Sequence, residues 1–244
     1  LQNTEIWVVP THNPEGLSVV HGTHIGGNVY QDVTFRKNMT DINFDNIFSF
    51  QDGVGNDSDG VDLNRNYEFN WMFGDSEFML DPGYGDYFAH FDYYRGTEPF
   101  SESETRSIRD LAIEQNFTLS IAYHSSRSGR VAEMVIYSWD WEDAKKSPDF
   151  PVIDGLAQEI AALIPKEVEE GYYFCTPGKS RKGNAHDWFY TETGCIQYLI
   201  EVGTENMQPD EALIEDTIDR NMEAAFHLMN RAFYNPYGNA DAYQ

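Results

Sequence analysis

Positive charge is scarce in this chain: 16 Lys and Arg stand against 41 Asp and Glu, a formal charge of −25 over 244 residues. Such a surplus repels phosphate backbones and anionic headgroups, so neither nucleic acid nor a membrane surface is an expected partner. Cysteine is nearly absent. Cys175 and Cys195 can form at most one bridge and neither belongs to a Cys-x-x-Cys pair, which excludes a disulfide framework as the source of stability. One bridge and two buried thiols are both compatible with that count. No apolar run approaches the roughly 20 residues needed to span a bilayer, and no stretch has the charged start and apolar centre of a signal peptide. Internal repeats and low-complexity linkers are missing too.

What is present is an ordinary hydrophobic share, 41%, in a length that suits one domain over residues 1–244 with a substantial core. Apolar runs bounded by turn residues predict strands over 6–9, 119–123, 131–137 and 196–202, several apolar enough to be buried on both faces. Helical periodicity covers 102–115, 152–163 and 210–233. Ser101 and Glu104 have the spacing of a capping box at the start of the first helix. Strands alternating with helices imply an α/β domain whose central sheet is mixed or largely parallel, with helices covering both faces. Residues 38–62 and 66–100 are rich in Gly, Asp and Asn without sustained period. Irregular stretches of that length in a compact domain are usually functional or ion-stabilised loops.

Three segments carry the chemistry. In Gly60-Val61-Asp62-Leu63-Asn64-Arg65-Asn66, the Arg65 guanidinium is a bidentate fork for a carboxylate and the Asn64 amide adds a donor. His124 ends the apolar run Ser120-Ile121-Ala122-Tyr123, where strand ends of α/β sheets present side chains to a crevice. Glu201 stands in the apolar strand Tyr198-Leu199-Ile200-Glu201-Val202. A charge there is costly unless it faces a polar cleft or a partner, and desolvation would raise its pKa toward the range of a general base.

Together with Arg36 in Phe35-Arg36-Lys37-Asn38, these segments resemble the M14 zinc carboxypeptidases in residue type and order. The resemblance implies that Asn64 and Arg65 grip the terminal carboxylate of a peptide. It further implies that Arg36 stabilises the oxyanion, that His124 is the third zinc ligand and that Glu201 is the catalytic glutamate. The family takes its first two zinc ligands from a His-x-x-Glu motif upstream of all these elements, and the sequence begins after the place where it should be. The expectation is therefore an N-terminally truncated, zinc carboxypeptidase-like domain that needs Zn2+ yet is inactive alone, since one imidazole seldom holds the ion. The missing segment could also stay bound as a separate peptide.

Two other histidine patterns do not replace the motif. His12-Asn13-Pro14-Glu15 fits as text, but Pro14 and Gly16 predict a turn, matching the family's Asn-Pro-Asp-Gly turn. His21-Gly22-Thr23-His24 is glycine-flanked and lacks a glutamate at helical spacing. Asp187-Trp188-Phe189-Tyr190 resembles the family's specificity-pocket segment, with His186 at the position that tunes side-chain preference. Where the family has a mobile tyrosine this register has Lys179; Tyr172 or Tyr173 could take that role, while Lys179, Arg181 and Lys182 could attract an acidic side chain. Finally, Asp41, Asn43, Asp45, Ser49 and Asp52, with the Ile47 carbonyl, have the spacing of a calcium loop, making Ca2+ a second expected ion. Asn46 stands where that loop usually turns on glycine.

The function these features predict is removal of the C-terminal residue from peptides or peptide-like substrates with a free carboxylate. The resemblance and the calcium loop suggest an extracellular or periplasmic location. Two rivals share some of the same residues: an inactive carboxylate-binding relative, and a calcium-stabilised structural module in which Glu201 is a buried partner.

Overall fold

The computed structural model describes residues 5–25, 28–42, 44–48, 59–74, 93–125, 132–141, 145–179, 182–204 and 209–232. They fall into two compact units, one of residues 1–111 with 182–184, the other of 112–181 with 185–244.

In the first unit Pro14 does not make a turn. It opens helix α1 (Pro14–His21), because a proline lacking an amide proton is harmless in a first helical turn. Asn13 caps the helix by accepting from Gly16 N at 2.9 Å, and its amide donates to the carbonyls of Arg36 and Lys37. Glu15 is occupied as well, accepting from Met39 N at 2.9 Å. Strands β1 (Thr23–Ile25) and β2 (Asn28–Tyr30) pair antiparallel. The apolar run 6–9 is not a strand: it has no ladder partner among the described residues, and Val8 is 77% exposed. Helix α2 (Ser103–Gln115) lies where its period predicts. The reciprocal cap is not made, since Ser101 donates to Glu102 and Ser103 to Glu104.

Asn66 is the hub of this unit. Fully buried, it donates to Arg95 O, Glu98 O and Ser101 Oγ and accepts from Thr105 Oγ1 and Glu102 N. At Gly60, φ is +90° and a Cβ would lie 2.1 Å from Asn38 O, so only glycine lets the two chain segments approach there.

The second unit is built on a four-stranded mixed sheet in the order β3-β8-β4-β7, from β3 (Leu119–Ser125), β4 (Met134–Tyr137), β7 (Phe174–Pro177) and β8 (Ile196–Val202). The β3·β8 and β4·β7 pairs are parallel and β4·β8 is antiparallel. A small hairpin joins β5 (Asp140–Trp141) to β6 (Lys145–Lys146). Helices α3 (Phe150–Ala161), α4 (Ala185–Trp188) and α5 (Glu211–Arg231) flank the sheet, with a single π turn, Phe189–Thr193, after α4. On α3 the residues Ile153, Leu156, Ala157, Ile160 and Ala161 are buried, the spacing of one helical face. They meet Val135, Tyr137, Tyr198 and Ile200 from the sheet and Ala224 and Leu228 from α5. Each of the Val, Leu and Ile side chains removed from water here contributes about 1.5–3 kcal/mol. Asp210 caps α5 by accepting from Leu213 N at 2.9 Å. Among the described residues no helix is long and apolar enough to cross a membrane.

Candidate active site

One carboxylate organises the cationic constellation of the first unit. Asp62, 2% exposed, accepts from Arg36 Nε at 2.8 Å and from Asn64 N at 3.0 Å, while its carbonyl accepts from Arg65 N at 2.9 Å. These bonds start the short 3-10 turn Leu63–Arg65, so the residue that holds Arg36 also aims Asn64 and Arg65. Burial by itself would raise the Asp62 carboxyl, but the guanidiniums of Arg36 and Arg65 and the Asn64 amide hold it below the ordinary carboxylate range. Arg65 Nη1 is fixed by Asn64 O at 2.7 Å and Asn184 Oδ1 at 2.9 Å. Both guanidiniums also lie against one ring, with Arg36 Cζ 5.4 Å and Arg65 Cζ 5.3 Å from the centre of Tyr93. Two rigid forks held this way suit a carboxylate or a developing oxyanion. Asp62, Tyr93 and Asn184 are functional partners that motif reading missed. Asp62 lies inside the quoted motif, whereas Asn184 lies far from it in sequence and is 3% exposed.

In the second unit strand register forms the site. His124 and Glu201 are Cα partners on the parallel strands β3 and β8, near the C-terminal end of each. Partners in such a pair point to the same face, with strands about 4.8 Å apart. Glu201 is also the partner of Met134 across the antiparallel pair. An imidazole beside a carboxylate is chemically able to offer a metal donor and a proton acceptor. No group of three His, Cys, Asp or Glu placed to hold a metal occurs among the described residues.

The specificity candidates lie in the same unit. His186 and Asp187 are 3% and 2% exposed, with His186 Nε2 3.5 Å from Asp187 Oδ1. A Cβ at Gly178 would approach His186 Nε2 to 2.9 Å, so the glycine makes room for the ring. Lys179 points to the β5 end instead, donating to Asp140 O at 2.8 Å with Asp140 Oδ2 at 3.5 Å. Tyr173 is 4% exposed, belongs to the core and accepts from Gly203 N at 3.1 Å. That position suits an anchor, not a mobile clamp; Tyr172 beside it is 58% exposed. Arg181 lies outside the described residues.

Of the calcium-loop donors, Asn43, Ser49 and Asp52 lie outside the described residues. Asp41 Oδ2 accepts from Asn46 N at 2.7 Å and Asp45 Oδ1 from Ile47 N at 2.8 Å. Asn46 takes the left-handed conformation that glycine usually supplies, with φ +63°. Asp41 also lines a cavity of about 330 Å³ with Thr40, Tyr94, Glu102 and Arg106. Neither thiol is bridged: Cys175 and Cys195 are free, and burial raises both, Cys195 to about 12.

Residues 1–224 match the family model Peptidase_M14, zinc carboxypeptidase. A curated carboxypeptidase B from Astacus astacus is 28% identical over 154 residues, covering 59% of this chain and 40% of that protein. Among solved structures, the carboxypeptidase A from Helicoverpa armigera is similar in fold, with a TM-score of 0.61 at 21% identity over 89% of this chain and 49% of the other. Bovine thrombin-activatable fibrinolysis inhibitor, solved in complex with tick carboxypeptidase inhibitor, gives 0.58 at 18% identity over 91% and 68%. The chain thus spans about half the length or less of the first relatives it matches. Sequence motif, sheet topology and family match agree: the chain belongs to the Peptidase_M14 family of zinc carboxypeptidases.

Proposed function

We propose that this protein removes the C-terminal residue from peptides, using Asn64 and Arg65 to grip the terminal carboxylate. The observation that carries this reading is the pre-set turn Leu63–Arg65, in which Asp62 and Asn184 fix Arg65 before any substrate arrives. Preorganisation of that kind lowers the ordering cost of binding and leaves more of the interaction for the transition state. Arg36 is the group for the developing oxyanion, oriented through its Nε by Asp62. Glu201 accepts the proton of the attacking water and returns it to the leaving amine. Zinc, held by His124 with further ligands, would polarise the scissile carbonyl and acidify the water. His186 and Asp187 line the pocket for the departing side chain. An extracellular or periplasmic location goes with this reading.

The inactive carboxylate-binding alternative shares the Arg65 grip and differs only in chemistry. Zinc content and turnover of the full-length gene product, on a peptide with a free C-terminus, separate the two. Stoichiometric zinc with release of the last residue is expected. Tight binding of the free peptide with no zinc and no cleavage would establish the alternative.

A further inference from the structure

The strand end that carries Glu201 is braced from below by a polar network that the proposed chemistry does not use. Two residues beyond Glu201, Gly203 N donates to Tyr173 Oη at 3.1 Å; one further, Thr204 Oγ1 donates to Glu167 Oε1 at 3.2 Å. Gly203 adopts φ +67°, and a Cβ there would sit 3.5 Å from Glu167 Oε2, so the chain turns tightly over this carboxylate. Glu167 is only 14% exposed; its amide donates to Glu133 Oε1 at 2.5 Å and its carboxylate lies 3.7 Å from Arg220 Nη2. Arg220 is anchored in turn by Asp216 Oδ2 at 2.8 Å and Pro165 O at 3.3 Å. Glu133, 9% exposed, has φ +53° and immediately precedes Met134, the antiparallel partner of Glu201. The charged groups facing the Tyr173 hydroxyl are Arg220 and Glu133.

A non-glycine residue at positive φ costs of order 1–3 kcal/mol and persists only where its surroundings over-determine it. Here Glu133 reaches the same network that catches the end of β8, so the strain and the buried bonds act on one place. We propose that Tyr173, Glu167 and Arg220 are positioning residues that fix the end of β8 and thereby the Glu201 carboxylate. They act through the backbone of Gly203 and Thr204 and touch no substrate. The inference rests on the reading of Glu201 as the base. It deepens that reading by explaining why a strand end with a catalytic group is followed by a half-buried glycine whose amide is hydrogen-bonded.

Tyr173→Phe in the full-length product is the cleanest test, because it keeps the ring in the core and removes the hydroxyl that accepts from Gly203 and also bonds Asn221. Expected are a fall in kcat of about tenfold with KM within twofold, and faster hydrogen exchange confined to residues 201–204. Glu167→Gln, which keeps an acceptor for Thr204, should lose less than Glu167→Ala. An unchanged kcat overturns the proposal, as does a rise in exchange spread over the whole sheet with a matching fall in melting temperature. If the unmutated protein cleaves no peptide, the carboxypeptidase reading fails by itself. Exchange at 201–204 then still decides the brace, and no difference between Tyr173→Phe and the unmutated protein would sink it.

Discussion

The two candidate clusters, one in each unit, are made by different kinds of order. In the first unit one buried aspartate holds Arg36 through its side chain and caps the short turn that carries Asn64 and Arg65. In the second, His124 and Glu201 are set by the register of two parallel strands, in which a backbone ladder fixes side chains in pairs. A loop-built grip depends on a few polar atoms and should fail when one is deleted. A register-built pair is supported along seven positions of each strand, from Leu119↔Ile196 to Ser125↔Val202, and should lose chemistry before it loses structure.

The largest expected effect follows from that contrast. Asp62→Ala removes the carboxylate shared by Arg36 and the Leu63–Arg65 turn, and should cost about 3 kcal/mol of stability. That is the low end for breaking a buried pair, because Arg36 is still 23% exposed and partly screened by solvent. Denaturant unfolding checks it. A loss under 1 kcal/mol would mean that the turn does not depend on its cap. The same group sets an acid limit. With the folded pKa of Asp62 below the ordinary 3.8, the unfolded chain binds the proton more readily. The contribution is therefore complete above the unfolded value and is lost as pH falls through the folded one. In Asp62→Asn that acid-side loss should flatten.

Glu201→Gln is the matching deletion in the other unit. It should lower the catalytic rate by at least ~10²-fold, about 2.7 kcal/mol, because an amide cannot take the water's proton, while the melting temperature stays near that of the parent. Near-normal turnover with a large fall in melting temperature would reassign Glu201 as structural.

A smaller change sharpens the first unit further. Asn184→Ala removes a side-chain acceptor of Arg65 Nη1 and should raise KM for free peptides by about ten- to twentyfold, the low end for a single hydrogen bond to a charged group. A KM unchanged within error would show that the Asn184 bond does not set the guanidinium.

Much of this was legible in the sequence because the informative residues sit in regular elements. The pattern over 196–202 predicts β8 with the observed bounds, and α3 and α5 lie within two residues of their periodic stretches. Glu201 stood out because a charge in an apolar strand demands a reason. Other features were hidden for physical reasons. Asn184 meets Arg65 across 119 positions of sequence, and no local pattern encodes such a contact. Asn13-Pro14 reads as a turn, since proline is a turn former as well as a good first helical residue; the cap that decides between them is a hydrogen bond to Gly16. Residues 6–9 have the apolar pattern of a strand, but a strand also needs a neighbour. Tyr173 looked like a loop tyrosine free to move, and only its burial shows that it is an anchor.

The central claim is that Arg65 recognises a terminal carboxylate. A cycle on the full-length product tests it most directly, comparing kcat/KM for a free-acid peptide and its C-terminal amide, each with unmutated protein and Arg65→Ala. Amidation and the substitution remove the same interaction. Each alone should therefore cost about 2–5 kcal/mol of transition-state binding, and together little more than either one. Equal turnover of free and amidated peptides by the unmutated protein, or a penalty for amidation that survives intact in Arg65→Ala, would contradict the account.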